Sequence, residues 1–231
     1  MAGRGHRADR DRVAHGLIIV PAGADQSYLA PGRRSGTPVV FVDRPQQNLN
    51  ADAVVAANRD GAAIGVDHLI RHGHRRIAFI GDLPAIRTAA DRELGFRDAM
   101  ARHEVDIDDA LVRRNVRGVD EAIEVTQRLM ELPDPPTALF AAQNVLALGA
   151  YAGLRRLGRR ADTALVGFDD FPVADLLEPA VTVVAQNPGG IGTLAAETLF
   201  RRLDGDDDAM VTHVVPTELI QRGSGEIAPR A

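Results

Sequence analysis

The feature that most constrains this chain is a set of short runs whose apolar residues stand at consecutive positions. They are GLIIV (16–20), PVVFVD (38–43), AVVAA (53–57), RIAFIG (76–81), ALFAA (138–142), ALVGF (164–168), VTVVAQ (181–186) and HVVPTEL (213–219). A strand with one face in water alternates apolar and polar residues. A strand apolar on both faces must be covered on both, as in a parallel sheet flanked by helices. The intervening segments supply those helices. DGAAIGVDHLIRHG (60–73), AADRELGFRDAMARH (89–103), VDEAIEVTQRLMEL (119–132) and NVLALGAYAGLRRLG (144–158) space their apolar residues three and four apart. Several of these segments stop on glycine, which accepts the left-handed turn that closes a helix. Alternating strand and helix predicts an α/β fold with right-handed crossovers.

The alternation holds from Ala53 to Phe168 and then breaks. After Asp170 come two extended runs joined through Pro179, then a helix at 189–203, then strands again. One doubly wound sheet would have kept alternating, so the break predicts that the chain passes between two sheets. At 231 residues the chain is long enough for one large domain or two small lobes. It shows no internal repeat and no low-complexity segment.

Composition excludes several function classes. No apolar stretch approaches the roughly 18–20 residues that span a bilayer. The first residues, MAGRGHRADRDR, are basic but lack the apolar core of a secretory signal. With no cysteine, disulfides, thiolate catalysis and thiolate zinc sites are ruled out, and a cytoplasmic location is expected. All 27 basic residues are arginine and the net charge is −5, with no basic stripe or aromatic platform for nucleic acid. The acidic run Asp204–Asp208 reads as a solvated turn around Gly205, since it lacks the spaced ligands of a calcium loop. His68 and His72 have a spacing that can hold a metal. Close to the helix end before Gly73, such histidines more often meet the exposed carbonyls and the dipole. GGIG (189–192) lacks the spacing of a nucleotide loop, and no serine sits in a nucleophile elbow. No metal and no cofactor are expected, and no catalysis.

Several segments together resemble one family. VFVDRP (40–45), HLIRHGHRRIAFIGD (68–82), AADRELGFRDAM (89–100), PPTALFAAQNVLALGA (135–150), ALVGFDDFPVADLLEPAVTVVAQNP (164–188) and VVPTELIQRGS (214–224) resemble the effector-binding domain of LacI-type bacterial transcription regulators. The resemblance runs from about Gly16 to Ser224, and GHRRIAFIG followed by VGFDD…VTVVAQ is its most specific part. It implies a two-lobed, periplasmic-binding-protein-like (type I) α/β fold. The N-terminal lobe would take 1–58 plus 187–204, and the C-terminal lobe 59–186 plus 205–231. The family also carries a helix-turn-helix headpiece, a hinge helix and two βα units ahead of the position of GLIIV, and none of these is expected within the residues at hand. The N-terminal lobe is therefore expected to be incomplete, through a mis-assigned start or a truncation, leaving GLIIV at an open sheet edge.

The resemblance also implies a site. In open α/β sheets, ligands bind beyond the carboxyl ends of the strands. Asp169, which ends one apolar run, matches the family's ligand-contacting aspartate, and an ionised carboxylate can accept from two adjacent hydroxyls. Its alternative is a cap or interlobe role; its neighbour Asp170 reads as structural. Arg92 matches the family's cleft arginine, a fork of donors for oxygen acceptors, or else a surface partner of Asp91 or Asp98. Asp43 ends its own strand and would face Asp169 from the other lobe, or pair with Arg44. Gln186 would contact ligand or hinge at a crossover. Gln143 stands where the family typically has a ligand-binding asparagine, which leaves ligand identity open. Phe168 and Phe171 are expected to pack rather than stack on a sugar. The implied function is sensing of a small effector, sugar or nucleoside, by a homodimer. Operator DNA would be met only through the headpiece, and no membrane is involved. The alternative is the solute-binding protein of a sugar transporter, which shares the fold.

Overall fold

The structure, a computed structural model, describes residues 15–23 and 25–230; the basic segment Met1–Arg12 lies outside them. The chain divides into two compact units. The first takes the chain up to Val55 together with Pro188–Val214, and the second takes Ala56–Asn187 with Val215–Ala231. On sequence, residues 205–214 grouped with the C-terminal lobe. They belong to the first unit instead, because the run HVVPTEL is two strands, one in each sheet. Pro216 stands between them, and a residue without an N–H cannot carry a ladder onward.

The first unit is built on a four-stranded sheet in the order β1-β2-β3-β9, from β1 (Leu17–Ile19), β2 (Val39–Val42), β3 (Asp52–Ala56) and β9 (Thr212–Val215). The first three strands are parallel. Val39, Phe41, Ala51 and Ala53 form its core, with Leu17, Ile19 and Leu29 packed against them. A short helix, α1 (Ala30–Arg34), and a long one, α6 (Pro188–Leu203), complete the unit. Arg202 of α6 reaches the buried Asp52 of β3 through a bidentate pair at 2.8 and 3.0 Å. The same guanidinium also donates to the carbonyls of Asp206, Asp208 and Ala209. The acidic turn is thus wrapped around an arginine, with Gly205 in the left-handed region at φ 96°. As expected, β1 is an edge strand of the described sheet, and Ile18 and Val20 are exposed there.

The second unit holds a six-stranded sheet in the order β10-β8-β7-β6-β4-β5. Its strands are β4 (Ile77–Ile80), β5 (Val112–Arg113), β6 (Ala138–Ala141), β7 (Ala164–Phe168), β8 (Thr182–Ala185) and β10 (Glu218–Ile220). All neighbours are parallel except β10, which runs antiparallel to β8. Helices α2 (Asn58–Arg71), α3 (Arg87–Arg102), α4 (Val119–Met130) and α5 (Asn144–Arg156) cover it. Alternate residues of each strand serve different cores. Ile77, Phe79, Phe140, Val166 and Phe168 pack with Val66, Leu69, Phe96 and Met100 of α2 and α3. Ala78, Ile80, Leu139, Leu165 and Val183 pack with Leu129, Leu146, Ala150 and Leu154 of α4 and α5. This is the physical reason for consecutive apolar residues: both faces of the central strands β4, β6 and β7 are buried. No helix among the described residues is long and apolar enough to cross a membrane.

Candidate functional site

The carboxyl ends of β6, β7 and β8 lie side by side in the second unit, and the residue just beyond each end is polar or offers a bare carbonyl. After β7 comes Asp169, in the left-handed region at φ 67°, with its N–H donating to the carbonyl of Val184 on β8 at 2.9 Å. Aspartate tolerates this conformation better than most residues. The backbone turn aims the side chain away from the ladder that β7 has just left. Beyond β8, Gln186 donates through Nε2 to Oδ1 of Asp169 at 2.5 Å. Beyond β6, the carbonyl of Ala142 accepts from Nη1 of Arg92 at 2.8 Å, and the same nitrogen donates to Oδ2 of Asp169 at 3.0 Å.

Arg92 reaches this point from α3. Thr88, Arg92, Gly95, Phe96 and Ala99 form the buried stripe of that helix, so the side chain has no route to solvent along the outer face. Its guanidinium lies 3.9 Å from the ring centroid of Phe168. A cation over a ring face gains from the quadrupole when both are dry. Its Nε donates to Oδ1 of Asn58, the first residue of α2, at 2.8 Å. The two surface partners that the sequence offered for Arg92 are engaged elsewhere: Asp91 with Arg87 and Asp98 with Arg59.

The adjacent acid has a separate task. Asp170 forms a bidentate pair with Arg222 on the returning C-terminal segment, both contacts at 2.7 Å. The Arg222 hydrogen bonds hold its carboxyl below the usual range against the opposing effect of burial. Two consecutive acids at one strand end therefore point to two different arginines.

Of the other expected residues, Gln143 is the N-cap of α5, half-buried, and forms no side-chain cap. Asp43 belongs to the first unit, where it repeats the backbone geometry of Asp169. It follows β2 at φ 69°, donates its N–H to Val54 on the neighbouring β3 at 3.1 Å, and pairs with Arg44 at 3.5 Å. Phe168 is fully buried and Phe171 packs at the edge of the α4–α5 core. Asn58 was not singled out on sequence, although it starts the stripe that continues through Ala62, Val66 and Leu69. That periodicity is the signal that could have found it.

His68 and His72 divide as their position at the end of α2 suggests. His72 donates from Nδ1 to the carbonyl of His68 at 2.8 Å, while His68 meets Glu226 through Nε2 at 2.6 Å. Among the described residues, no group of three or more potential ligands is placed to hold a metal ion.

The sequence pattern of the periplasmic binding protein-like domain family matches residues 66–225, more than half of the chain. The chain belongs to this family. The resemblance to LacI-type regulators carried by GHRRIAFIG and VGFDD is borne out as well. The chain is 30% identical over 187 residues to the ribose operon repressor of Halalkalibacterium halodurans, covering 80% of this chain and 55% of that protein. A LacI family transcriptional regulator from Mycobacterium smegmatis superposes with a TM-score of 0.78 at 28% identity, covering 91% of this chain and 78% of the other. The transcriptional regulator CelR in complex with cellobiose superposes with a TM-score of 0.81 at 30% identity, covering 91% and 65%. This LacI-type domain spans a little over half the length of the curated relatives it matches. In it, the Arg92–Asp169–Gln186 cluster occupies the strand-end position where open α/β sheets hold their ligands.

Proposed function

We propose that this domain senses a small hydroxylated effector, a sugar or nucleoside, and passes its occupancy to the DNA-binding part of a transcription regulator. The observation that carries the reading is the cluster of Asp169, Arg92 and Gln186 beyond the ends of β7 and β8. A carboxylate that accepts, a guanidinium that donates and an amide that does both are the groups a vicinal diol pairs with. Asp43, whose strand-end geometry is the same, and Gln143, which would supply a further amide, are proposed as additional effector contacts. The relatives support the ligand class: one is a ribose operon repressor and one solved regulator holds cellobiose. They also favour a regulator over a transporter's binding protein.

The proposed mechanism involves no chemistry, and the protein is proposed to work in the cytoplasm. Without an effector, Arg92 and Asp169 satisfy each other. An effector exchanges part of that pairing for its own hydroxyls, and can shift the protein between states only as far as it binds them unequally. In the whole protein, a homodimer in this reading, the shift would change how paired helix-turn-helix units meet operator DNA. Calorimetric titration with D-ribose, cellobiose and adenosine tests the site. Binding by the wild type that is lost in Asp169→Ala and kept in Asp170→Ala supports it. Equal binding by all three proteins refutes it.

A further inference from the structure

Asn58 is a buried amide whose two ends are both in use. Its Nδ2 donates to the carbonyl of Ala56 at 3.2 Å, and its Oδ1 accepts from Nε of Arg92 at 2.8 Å. The first bond dictates the second. A carbonyl only accepts, so Nδ2 must face Ala56 and Oδ1 must face Arg92. A flipped amide would set donor against donor and acceptor against acceptor. The guanidinium is planar, and with Nε held by Asn58 and Nη1 held by Ala142 and Asp169 its plane is fixed.

The place of Asn58 in the chain adds to this. The chain enters the second unit at Ala56, leaves it after Asn187, and enters again at Val215. The residues at these points are tied together inside the unit. The N–H of Ala57 donates to the carbonyl of Val215 at 2.9 Å, and Glu218 is in register with Ala185. The Arg92–Asp169 pair is thus held at one end by Asn58, beside the first entry, and at the other by Gln186, beside the exit.

We propose that Asn58 is a positioning residue. It sets the plane in which Arg92 meets Asp169 and the effector, and it ties that plane to the segment where the chain enters the unit. This rests on the sensing function proposed above, but its decisive test needs no effector. In protein labelled with ¹⁵N-arginine, the Arg92 Nε–H signal is assigned by its absence in Arg92→Lys, and its hydrogen exchange is measured in the ligand-free state. Wild type should show a protected signal. Asn58→Leu, similar in size but without an acceptor, should speed its exchange by roughly ten- to a hundredfold, the range expected from losing a hydrogen bond to a charged group. Asn58→Asp keeps an oxygen in place and should keep the protection. Backbone exchange in β6 and β7 reports the fold, and Asn58→Ser, too short to reach Nε, decides the matter if the leucine variant does not fold. Unchanged protection in the leucine or serine variant overturns the proposal. So does equal loss in Asn58→Asp, which would show that an acceptor facing Nε is not what governs the exchange. Titration with D-ribose and cellobiose is read separately. A protein that binds neither, yet shows the expected exchange pattern, counts against sensing and leaves the placement of Arg92 by Asn58 standing.

Discussion

Replacing the two charged members of the cluster, singly and together, exposes how the site is held. Nη1 of Arg92 and Oδ2 of Asp169 are 3.0 Å apart, and their side chains are 6% and 21% exposed. At an effective dielectric of about 20, Coulomb's law gives a gross attraction of roughly 5 kcal/mol at that separation. Burial of Arg92 and the partial hydration of Asp169 both subtract from it, so a net coupling of about 1.5–3 kcal/mol is expected. The singles should differ. Asp169→Asn leaves the guanidinium buried over Phe168 with one counter-charge fewer, and sets an amide N–H against either Gln186 or Arg92. A cost of about 2–4 kcal/mol is expected. Arg92→Met removes the desolvated charge itself and keeps an apolar stem against Phe168. The carboxylate left behind lies at a strand end, where water reaches it. The loss there comes from the unmet oxygens of Asn58 and Ala142, about 1–3 kcal/mol.

The double variant should recover part of the sum, because neither charge then remains. Urea unfolding followed by far-ultraviolet circular dichroism measures all four proteins, the chain having no tryptophan to report instead. Equal slopes in denaturant show that the same surface unfolds in each. If the two single costs add to within about 0.5 kcal/mol, the charges are not coupled. The reasoning that places them in one site then fails.

Other expectations follow from particular contacts. An alanine at Gly95 would set its Cβ 2.1 Å from the carbonyl oxygen of Arg59, where α3 meets α2. Gly95→Ala should cost about 3 kcal/mol of stability. Gly192 lies within α6 with nothing inside 4 Å of the corresponding point, so Gly192→Ala should gain about 0.5–1 kcal/mol from helix propensity. Both are read from denaturant midpoints. The melting temperature should fall in two stages on acidification. Burial pushes the imidazoles of His68 and His74 below the ordinary 6.5, against the opposing pull of Glu226 and of the Ile227 carbonyl. The unfolded chain therefore takes up protons that the folded one refuses, and stability drops as pH falls below about 6.5. His74→Gln should flatten this stage. The second stage lies below about pH 4. There Glu93, held low by Arg114 and Arg97, and Asp170, held low by Arg222, lose their ion pairs. Two equal melting curves at pH 7 and pH 5 would refute the first stage.

Much of the second unit was legible because each of its central strands is buried on both faces. ALVGF matches β7 residue for residue, since every position in it is buried and its side chains divide between the two cores. Elements without such burial were missed. The strand β5 has only two residues, and α1 contains a proline and a glycine in five. HVVPTEL read as one strand because its apolar content is continuous, although Pro216 already marked the break. In the site, Asp169 was legible as a charge ending an apolar run. Arg92 was ambiguous only while Asp91 and Asp98 remained available as partners. Its spacing from Gly95, Phe96 and Ala99 placed it on the buried stripe of α3, which excludes a surface pair. Asn58 was hidden for the opposite reason. An asparagine at a helix start reads first as a cap, and only its spacing from Ala62, Val66 and Leu69 points it inward instead.

In the proposed reading, the paired acids at the end of β7 divide stability and sensing between them. Asp169 leaves the strand in a left-handed turn, so its side chain departs from the alternation the strand had imposed, and it meets Arg92 and Gln186. Asp170, one residue on, grips Arg222 on the segment that returns through β10 to the unit. Exchanging effector hydroxyls for the contacts of Asp169 need not disturb the clamp at Asp170, because the two carboxylates share no partner. The site can then change its hydrogen bonds without loosening the strand end that carries it. If Asp170→Ala weakened effector binding as much as Asp169→Ala at equal stability, this division of labour would be wrong, and the pair would have to be treated as one recognition element.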